Sequence, residues 1–380
     1  MSRVAPRYVE GSVLHSTSKK WRLFRAWSGR NPVWAAWQVT YRCNFRCGFC
    51  TYWKDPLGEL PEQTLEQFVE GSGKLGKLGT LFISLAGGEP LLRPDIVDIV
   101  RTVARFHFPF VTTNGWLVTP ELANDLFEAG LWGASVSLDY ADAAKHDKRR
   151  GMKGSFDRAV AALEYFSRAR KHDWQRVNLM CVLLEDNLDD VEPLLQLAAE
   201  HDAFFMIQPY GLRKTGNRRF INTDESVGPY LVALRNKYRN FLSNRVFLGR
   251  FDEALNGGVP GCRAGRAFFS IDSRGEVAIC VEERDYPVAN LYRHPAADIV
   301  RRLRDGARRN TCTSCWYNCR GEVEMLYHPV GVVKSLPTLF FDRGRPSQIP
   351  WGNGHDEGHD CVTGCSGAEQ VSEVRLPDPR

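Results

Sequence analysis

The chain has 380 residues, 43% hydrophobic and 25% charged, an ordinary balance for a globular protein with room for one large domain and a smaller one. Lys and Arg number 50 against 45 Asp and Glu, and the net charge of +5 is too small an excess to imply nucleic acid. No apolar run approaches the ~20 residues of a membrane span and no signal-peptide core opens the chain, so a cytoplasmic location is the default expectation.

Residues 18–30, SKKWRLFRAWSGR, have the pattern of a basic amphipathic helix. It would either close the bottom of the fold or touch a membrane surface or a partner. Strand-like apolar runs follow at 33–41, 80–86, 109–113, 132–138, 176–184 and 204–209. Amphipathic helical segments fill the gaps at 63–77, 94–105, 119–129, 155–169, 188–201 and 225–243. Thr119 ahead of Pro120 is a good helix start, as is Ser155 ahead of its periodic run. Six strand–helix units in series predict an α/β fold, a parallel sheet with right-handed crossovers curled into a partial (β/α)6 barrel. Ligands of such sheets bind at the rim where the strands end. The basic stretches at 145–150, 213–219 and 301–309 read as solvated faces. The expected organisation is a basic extension over 1–32, the barrel over 33–245, a small α+β domain over 246–335 and a polar tail over 336–380.

Eleven cysteines is the unusual count. With no secretory signal they point to metal or redox chemistry rather than to disulfides. Cys43, Cys47 and Cys50 are spaced Cx3Cx2C directly after the first strand, on the rim. A closed zinc site wants four ligands, whereas three thiolates on a [4Fe–4S] cluster leave one iron open to a small molecule. After the second strand come Gly87, Gly88, Glu89 and Pro90. The glycines let backbone approach a ligand closely and Glu89 adds an acceptor, a combination suited to an amine. A plain turn is the rival reading for these four residues alone.

The cysteine triplet followed by GGEP resembles the radical S-adenosylmethionine (radical SAM) superfamily, and the likeness covers roughly residues 35–320. The resemblance implies that Cys43, Cys47 and Cys50 hold a [4Fe–4S] cluster, that Phe49 packs near the adenine, and that 87–90 hold the amino group of SAM. It assigns the rest of the cofactor pocket to Thr113, Asn114 and Gly115, and to Ser137 and Asp139 as a ribose-facing pair; Asn187 is a weaker match. It further implies reductive cleavage of SAM to a 5′-deoxyadenosyl radical that abstracts hydrogen from substrate, with a one-electron reductant such as flavodoxin or ferredoxin. A non-catalytic iron–sulfur carrier, the rival class, needs no SAM pocket.

Cys262 and Cys280 flank an Asp-Ser-Arg-Gly turn at Gly275, as a hairpin would place them. Cys312, Cys315 and Cys319 follow. This segment is similar to the twitch/SPASM class of auxiliary-cluster domain, which implies one further [4Fe–4S] cluster on Cys262, Cys280, Cys312 and Cys315, with Cys319 a further metal-site candidate that a second auxiliary cluster would share with Cys361 and Cys365. Four thiolates in paired spacing also suit zinc. The tail holds His355, His359, Cys361 and Cys365 and reads as a polar extension, with metal binding as the alternative. Cys181 sits in an apolar strand and reads as core.

The expected reaction is an oxidation in which the auxiliary cluster takes the electron left on substrate; cross-linking of a peptide or lipid-like substrate is the alternative. The short N-terminal extension leans toward a small-molecule substrate. Tyr140, His146, Tyr210 and Arg213 are unranked rim candidates for a catalytic base.

Overall fold

The structure, a computed structural model, describes residues 13–79, 81–327 and 345–346. The chain divides into two units, 1–348 and 349–380, and the second unit, with His355, His359, Cys361 and Cys365, lies outside the described residues.

The helix α1 (Val13–Ser28) precedes six strands, β1 (Trp34–Thr40), β2 (Phe82–Gly87), β3 (Phe108–Thr113), β4 (Gly133–Ser137), β5 (Arg176–Leu183) and β6 (Phe204–Pro209). Between and after them run α2 (Leu65–Gly76), α3 (Ile96–Ala104), α4 (Pro120–Glu128), α5 (Ala143–Arg150), α6 (Ser155–Ala169), α7 (Val191–Glu200) and α8 (Val227–Lys237). Each strand pairs in parallel with the next, as an open partial barrel requires. The caps explain the helix starts. Thr64 and Gln67 exchange side-chain and backbone hydrogen bonds in a capping box, and Thr119 Oγ1 accepts from Leu122 N at 3.1 Å with Pro120 in the first turn. Ser155 is the first helical residue rather than the cap; its hydroxyl donates to Asp147 Oδ1 at 2.9 Å.

Beyond α8 the chain forms the short helices α9 (Arg245–Gly249) and α10 (Phe251–Asn256). It then adds β7 (Phe268–Ile271), β8 (Glu276–Ala278) and β9 (Ala289–Asn290), followed by α11 (Ala296–Arg309) and α12 (Asn318–Glu324). The hairpin expected around Gly275 is β7–β8, and Gly275 has the positive φ of +82° that its turn demands. Its first strand does not start a separate sheet. β7 runs parallel to β1 on the side away from β2, from Trp34 opposite Phe268 to Trp37 opposite Ile271, so one nine-stranded sheet carries both cysteine groups. Gln63 ties the parts together: Trp37 Nε1 donates to its Oε1 at 2.8 Å and its Nε2 donates to Asp272 O at 3.2 Å.

The main core lies between the sheet and its helices, with Trp37, Leu85, Val111 and Leu179 facing Phe68, Ile99, Leu126 and Leu163, all buried. Cys181 belongs to it. α1 packs through Leu23, Ala26 and Trp27 on a second apolar cluster at the start of β1 and β7, as a helix closing the bottom would. Among the described residues, no helix is long and apolar enough to cross a membrane.

His107 is fully buried between α2 and β2. Leu81 N donates to its Nδ1 at 3.2 Å, so the neutral tautomer carries its proton on Nε2, 3.0 Å from Ser72 O. Burial depresses its pKa from 6.5 to about 3. The unfolded chain therefore binds the extra proton first, and the stability His107 contributes is present above pH 6.5 and lost as pH falls from there toward about 3. Denaturant titrations should show a slope of up to ~1.4 kcal/mol per pH unit in this window, flattened in His107→Gln.

Candidate active site

The cysteine loop leaves β1 and is held from two sides. Gly88 N donates to Thr40 O at 3.0 Å and Glu89 N to Arg42 O at 2.8 Å, extending the β1–β2 ladder past the strand ends. A β carbon on Gly87 would stand 1.9 Å from Thr40 O, and one on Gly88 2.0 Å from Arg42 O, so both glycines are demanded by the approach of this backbone. On the other side Gly48 N donates to Arg149 O at the end of α5, and Asn114 Nδ2 donates to Asn44 Oδ1 at 2.8 Å. Within the loop, Cys50 N donates to Cys47 O at 3.2 Å, Phe45 N points at Cys43 Sγ at 3.4 Å, and Trp53 Nε1 donates to Cys50 O at 3.0 Å.

Cys43, Cys47 and Cys50 line a cavity of about 230 Å³ that Gly87, Gly88 and Glu89 complete. Phe49, Asn114 and Ser137 line it as well; Pro90 and Asp139 do not. Pro90 is buried and opens a short turn over 90–92. Glu89 borders the cavity, but its carboxylate accepts from Leu91 N at 3.0 Å, Thr113 Oγ1 at 2.8 Å and Asn114 N at 2.8 Å. It thereby clamps the ends of β2 and β3 together, although burial lifts its pKa to about 7.

Asp139 is fully buried and turned toward Arg150, whose Nε and one terminal nitrogen reach Asp139 Oδ2 at 2.8 and 2.7 Å. The guanidinium stacks over the Phe49 ring, 5.3 Å from its centroid, and lines the cavity. Burial opposes its charge, but Asp139 outweighs it. The stretch 145–150, expected to be a solvated face, is thus corrected: it is α5, capped by Asp142 and ended by left-handed Gly151, and its last residue is a buried cation of the site. The stretch 213–219 is corrected similarly, since Lys214 lines the cavity and pairs with Glu282 at 2.7 Å. Arg301, Arg302 and Arg308 remain on the surface, each paired with an aspartate of their own helix.

Of the candidate bases, only Tyr210 lines the cavity, its hydroxyl 2.6 Å from Thr215 Oγ1. Tyr140 donates to Asp186 at 2.6 Å; His146 is buried, with its pKa depressed to about 4 by desolvation; Arg213 reaches Glu283 and Cys312. Asn187 staples the β4 and β5 ends, donating to Asp139 O at 2.8 Å and Val182 O at 2.9 Å.

The other cysteines gather at the β7–β8 hairpin. Cys262, Cys280 and Cys319 pack against the second apolar cluster, and the thiol of Cys319 feels those of Cys315, Cys280 and Cys262. Cys312 lies 3.9 Å from an Arg213 nitrogen and is felt by Cys315. There the Ser314 amide and hydroxyl and the guanidinium outweigh burial and hold its pKa below the usual value. Cys262, Cys280, Cys315 and Cys319 form an inner group, and Cys312, a member of the expected set, meets it through Cys315. Tyr317, between Cys315 and Cys319 in sequence, reaches back into the first cavity, and its hydroxyl lies so close to Gly211 that a β carbon there would be 1.8 Å away.

Among the described residues, no three His, Cys, Asp or Glu side chains converge on a single ion. Burial pushes the thiols of Cys43 and Cys47 up to about 11 and about 12 and those of Cys280 and Cys315 to about 12, so thiolates at these places call for a cationic centre beside them. Three cysteines around one cavity that Gly87 and Gly88 also line fit a cluster ligated by cysteine on three irons.

Residues 37–198 match the radical SAM superfamily model. The mycofactocin maturase MftC of Mycolicibacterium smegmatis is 30% identical over 317 residues, 76% of this chain and 77% of that protein. The chain belongs to the radical SAM superfamily. An AdoMet-dependent heme synthase of Methanosarcina barkeri is 28% identical over 326 residues, 76% of this chain and 90% of that one. The fold is also that of Streptococcus suis SuiB bound to precursor peptide SuiA, with a TM-score of 0.60 at 16% identity over 87% of this chain and 82% of that chain. As a radical SAM enzyme with a twitch/SPASM-type C-terminal segment, it uses S-adenosylmethionine, a [4Fe–4S] cluster and an auxiliary cluster.

The inner grouping makes a prediction for this radical SAM enzyme. After anaerobic reconstitution, Cys319→Ala should lose the auxiliary iron, measured per chain, while Cys312→Ala keeps most of it. The reverse order would restore Cys312 to the ligand set.

Proposed function

We propose that Cys43, Cys47 and Cys50 ligate the SAM-binding cluster, that Cys262, Cys280, Cys315 and Cys319 ligate the auxiliary one, and that the enzyme oxidises its substrate between them. The observation that carries this is the shared wall: Tyr317, from the auxiliary cysteine segment, and Lys214 line the cavity of the first cysteine triplet. The cofactors, when bound, supply hydrogen abstraction and an acceptor for the electron left behind.

The chain's own residues do the rest. Gly87 and Gly88 line the cavity with bare backbone that an amine could meet. Arg150, held by Asp139, offers a fixed positive charge to a carboxylate, and Phe49 beneath it gives a flat apolar face. Ser137 supplies a hydroxyl on the same wall. Glu89 acts through others, keeping the two strand ends in register. Tyr52 and Tyr317 flank the Lys214 ammonium, at 4.9 and 5.6 Å from their ring centroids, and close the far side against water.

The substrate we infer is a peptide. Support comes from the similarity to MftC, named a maturase, and from the fold shared with SuiB, seen with a precursor peptide. The sequence-based leaning toward a small molecule gains no support from either. The heme synthase relative keeps a tetrapyrrole as the second reading.

Anaerobic incubation with SAM and dithionite should yield 5′-deoxyadenosine, and Cys43→Ala/Cys47→Ala/Cys50→Ala should yield none. Full SAM cleavage by the triple variant would sink the cofactor assignment. A candidate peptide deuterated at the reacting carbon should pass deuterium into 5′-deoxyadenosine; transfer from a tetrapyrrole but from no peptide would favour the second reading.

A further inference from the structure

Two basic stretches of the sequence remain outside the catalytic site, 18–30 and 301–309, and the fold brings them to one place. Arg22 and Arg25 of α1, Lys77 after α2 and Arg304 of α11 line a cleft of about 460 Å³ at the bottom of the sheet. Among the described residues, no carboxylate lines it. Arg22 donates to Gly76 O, and Arg304 donates to Gly29 O at 3.2 Å and Asn31 Oδ1 at 3.0 Å, so both are oriented by neutral acceptors. Arg25 and Lys77 are exposed at the mouth. This differs from the rest of α11, where Arg301, Arg302 and Arg308 have Asp298 or Asp305 beside them. Four cations in one concave site, with no counter-charge among the described lining residues, favour an anionic partner. Cations near the C-terminal ends of α1 and α2 also answer the helix dipoles, but that is worth only ~0.3–1 kcal/mol each and requires no cleft.

Position narrows the partner. Ala26 lines the cleft and also belongs to the apolar cluster against which Cys262, Cys280 and Cys319 pack. α11, which carries Arg304, is followed by Asn310, whose amide donates to Cys262 O at 3.4 Å. Cleft and auxiliary cysteines thus border the same apolar cluster. On α1, Trp21 is 61% exposed and stacks on Phe24 at 5.6 Å, an aromatic anchor of the kind protein interfaces use.

We propose that this basic cleft docks an acidic one-electron carrier protein and that the auxiliary centre passes its electron out through this face. The proposal rests on the redox role given above to the auxiliary centre. The step forms and breaks no bond: the reduced auxiliary centre loses one electron and the carrier, of flavin or iron–sulfur type, gains one. Acidic side chains of the carrier would meet Arg22, Arg25, Lys77 and Arg304, giving an association that salt weakens.

The test uses the reconstituted full-length enzyme with oxidised flavodoxin as probe. Its dissociation constant should rise steeply between ~50 and ~300 mM salt. Arg25→Glu/Lys77→Glu should weaken binding about tenfold or more and flatten that dependence, Arg25→Gln/Lys77→Gln should fall between, and Arg25→Lys/Lys77→Arg should bind as wild type. Dithionite-driven 5′-deoxyadenosine formation should be the same in all four. Unchanged flavodoxin affinity in the Glu variant would overturn the proposal. So would a variant that keeps flavodoxin but loses binding to vesicles of anionic lipid, which would make the face a membrane contact. Wild type that binds flavodoxin through these residues yet forms no 5′-deoxyadenosine would support the docking site and sink the catalytic assignment instead.

Discussion

Two peptide N–H groups, those of Gly88 and Glu89, donate to the carbonyls of Thr40, the last residue of β1, and of Arg42 beyond it, and the cysteine loop hangs from this seam. The approach is close enough to exclude a β carbon at both glycines. GGEP is therefore a structural demand before it is a binding motif. The same backbone that could receive an amine also fixes where Cys43 begins. Glu89 extends the constraint to β3, since its carboxylate is spent on Thr113, Asn114 and Leu91 rather than left facing the cavity. A buried carboxylate with three donors is costly to disturb, and it places the rim loops relative to one another with little freedom.

The second constraint is the pairing of β7 with β1. Because the C-terminal hairpin adds to the barrel strand that launches the cysteine loop, the two cysteine groups are registered on one sheet rather than held by a linker. Gln63 reinforces the join by satisfying Trp37 and Asp272 at once. The ion pairs of Arg213 with Glu283 and Lys214 with Glu282 then bind the end of β6 to the turn after Cys280. A wall built this way suits a reaction in which hydrogen leaves substrate toward one centre and an electron toward the other.

Much of the barrel was legible because buried parallel strands read as continuous apolar runs between turn residues, and all six lie within two residues of their expected bounds. α5 was missed for the opposite reason. AAKHDKRR has no apolar stripe; it is a helix because Asp142 caps it and Gly151 ends it, two signals that were available. The burial of Arg150 was not available, since its partner Asp139 comes from β4's end and nothing local announces the pairing. Asp139, expected to face a ribose, lies behind the guanidinium and does not line the cavity. The C-terminal cysteines show the same limit. Spacing marked all five as candidates, whereas the approach of Cys319 to Cys315, Cys280 and Cys262 depends on how α12 folds over the hairpin.

The central claim is that one chain holds two iron–sulfur centres, one on three cysteines and one on four. Iron per chain after anaerobic reconstitution, measured on wild type and on Cys43→Ala/Cys47→Ala/Cys50→Ala, tests it most directly. Two [4Fe–4S] clusters predict about eight irons in wild type and about four in the triple variant. A triple variant with no iron, and zinc in its place, would contradict it.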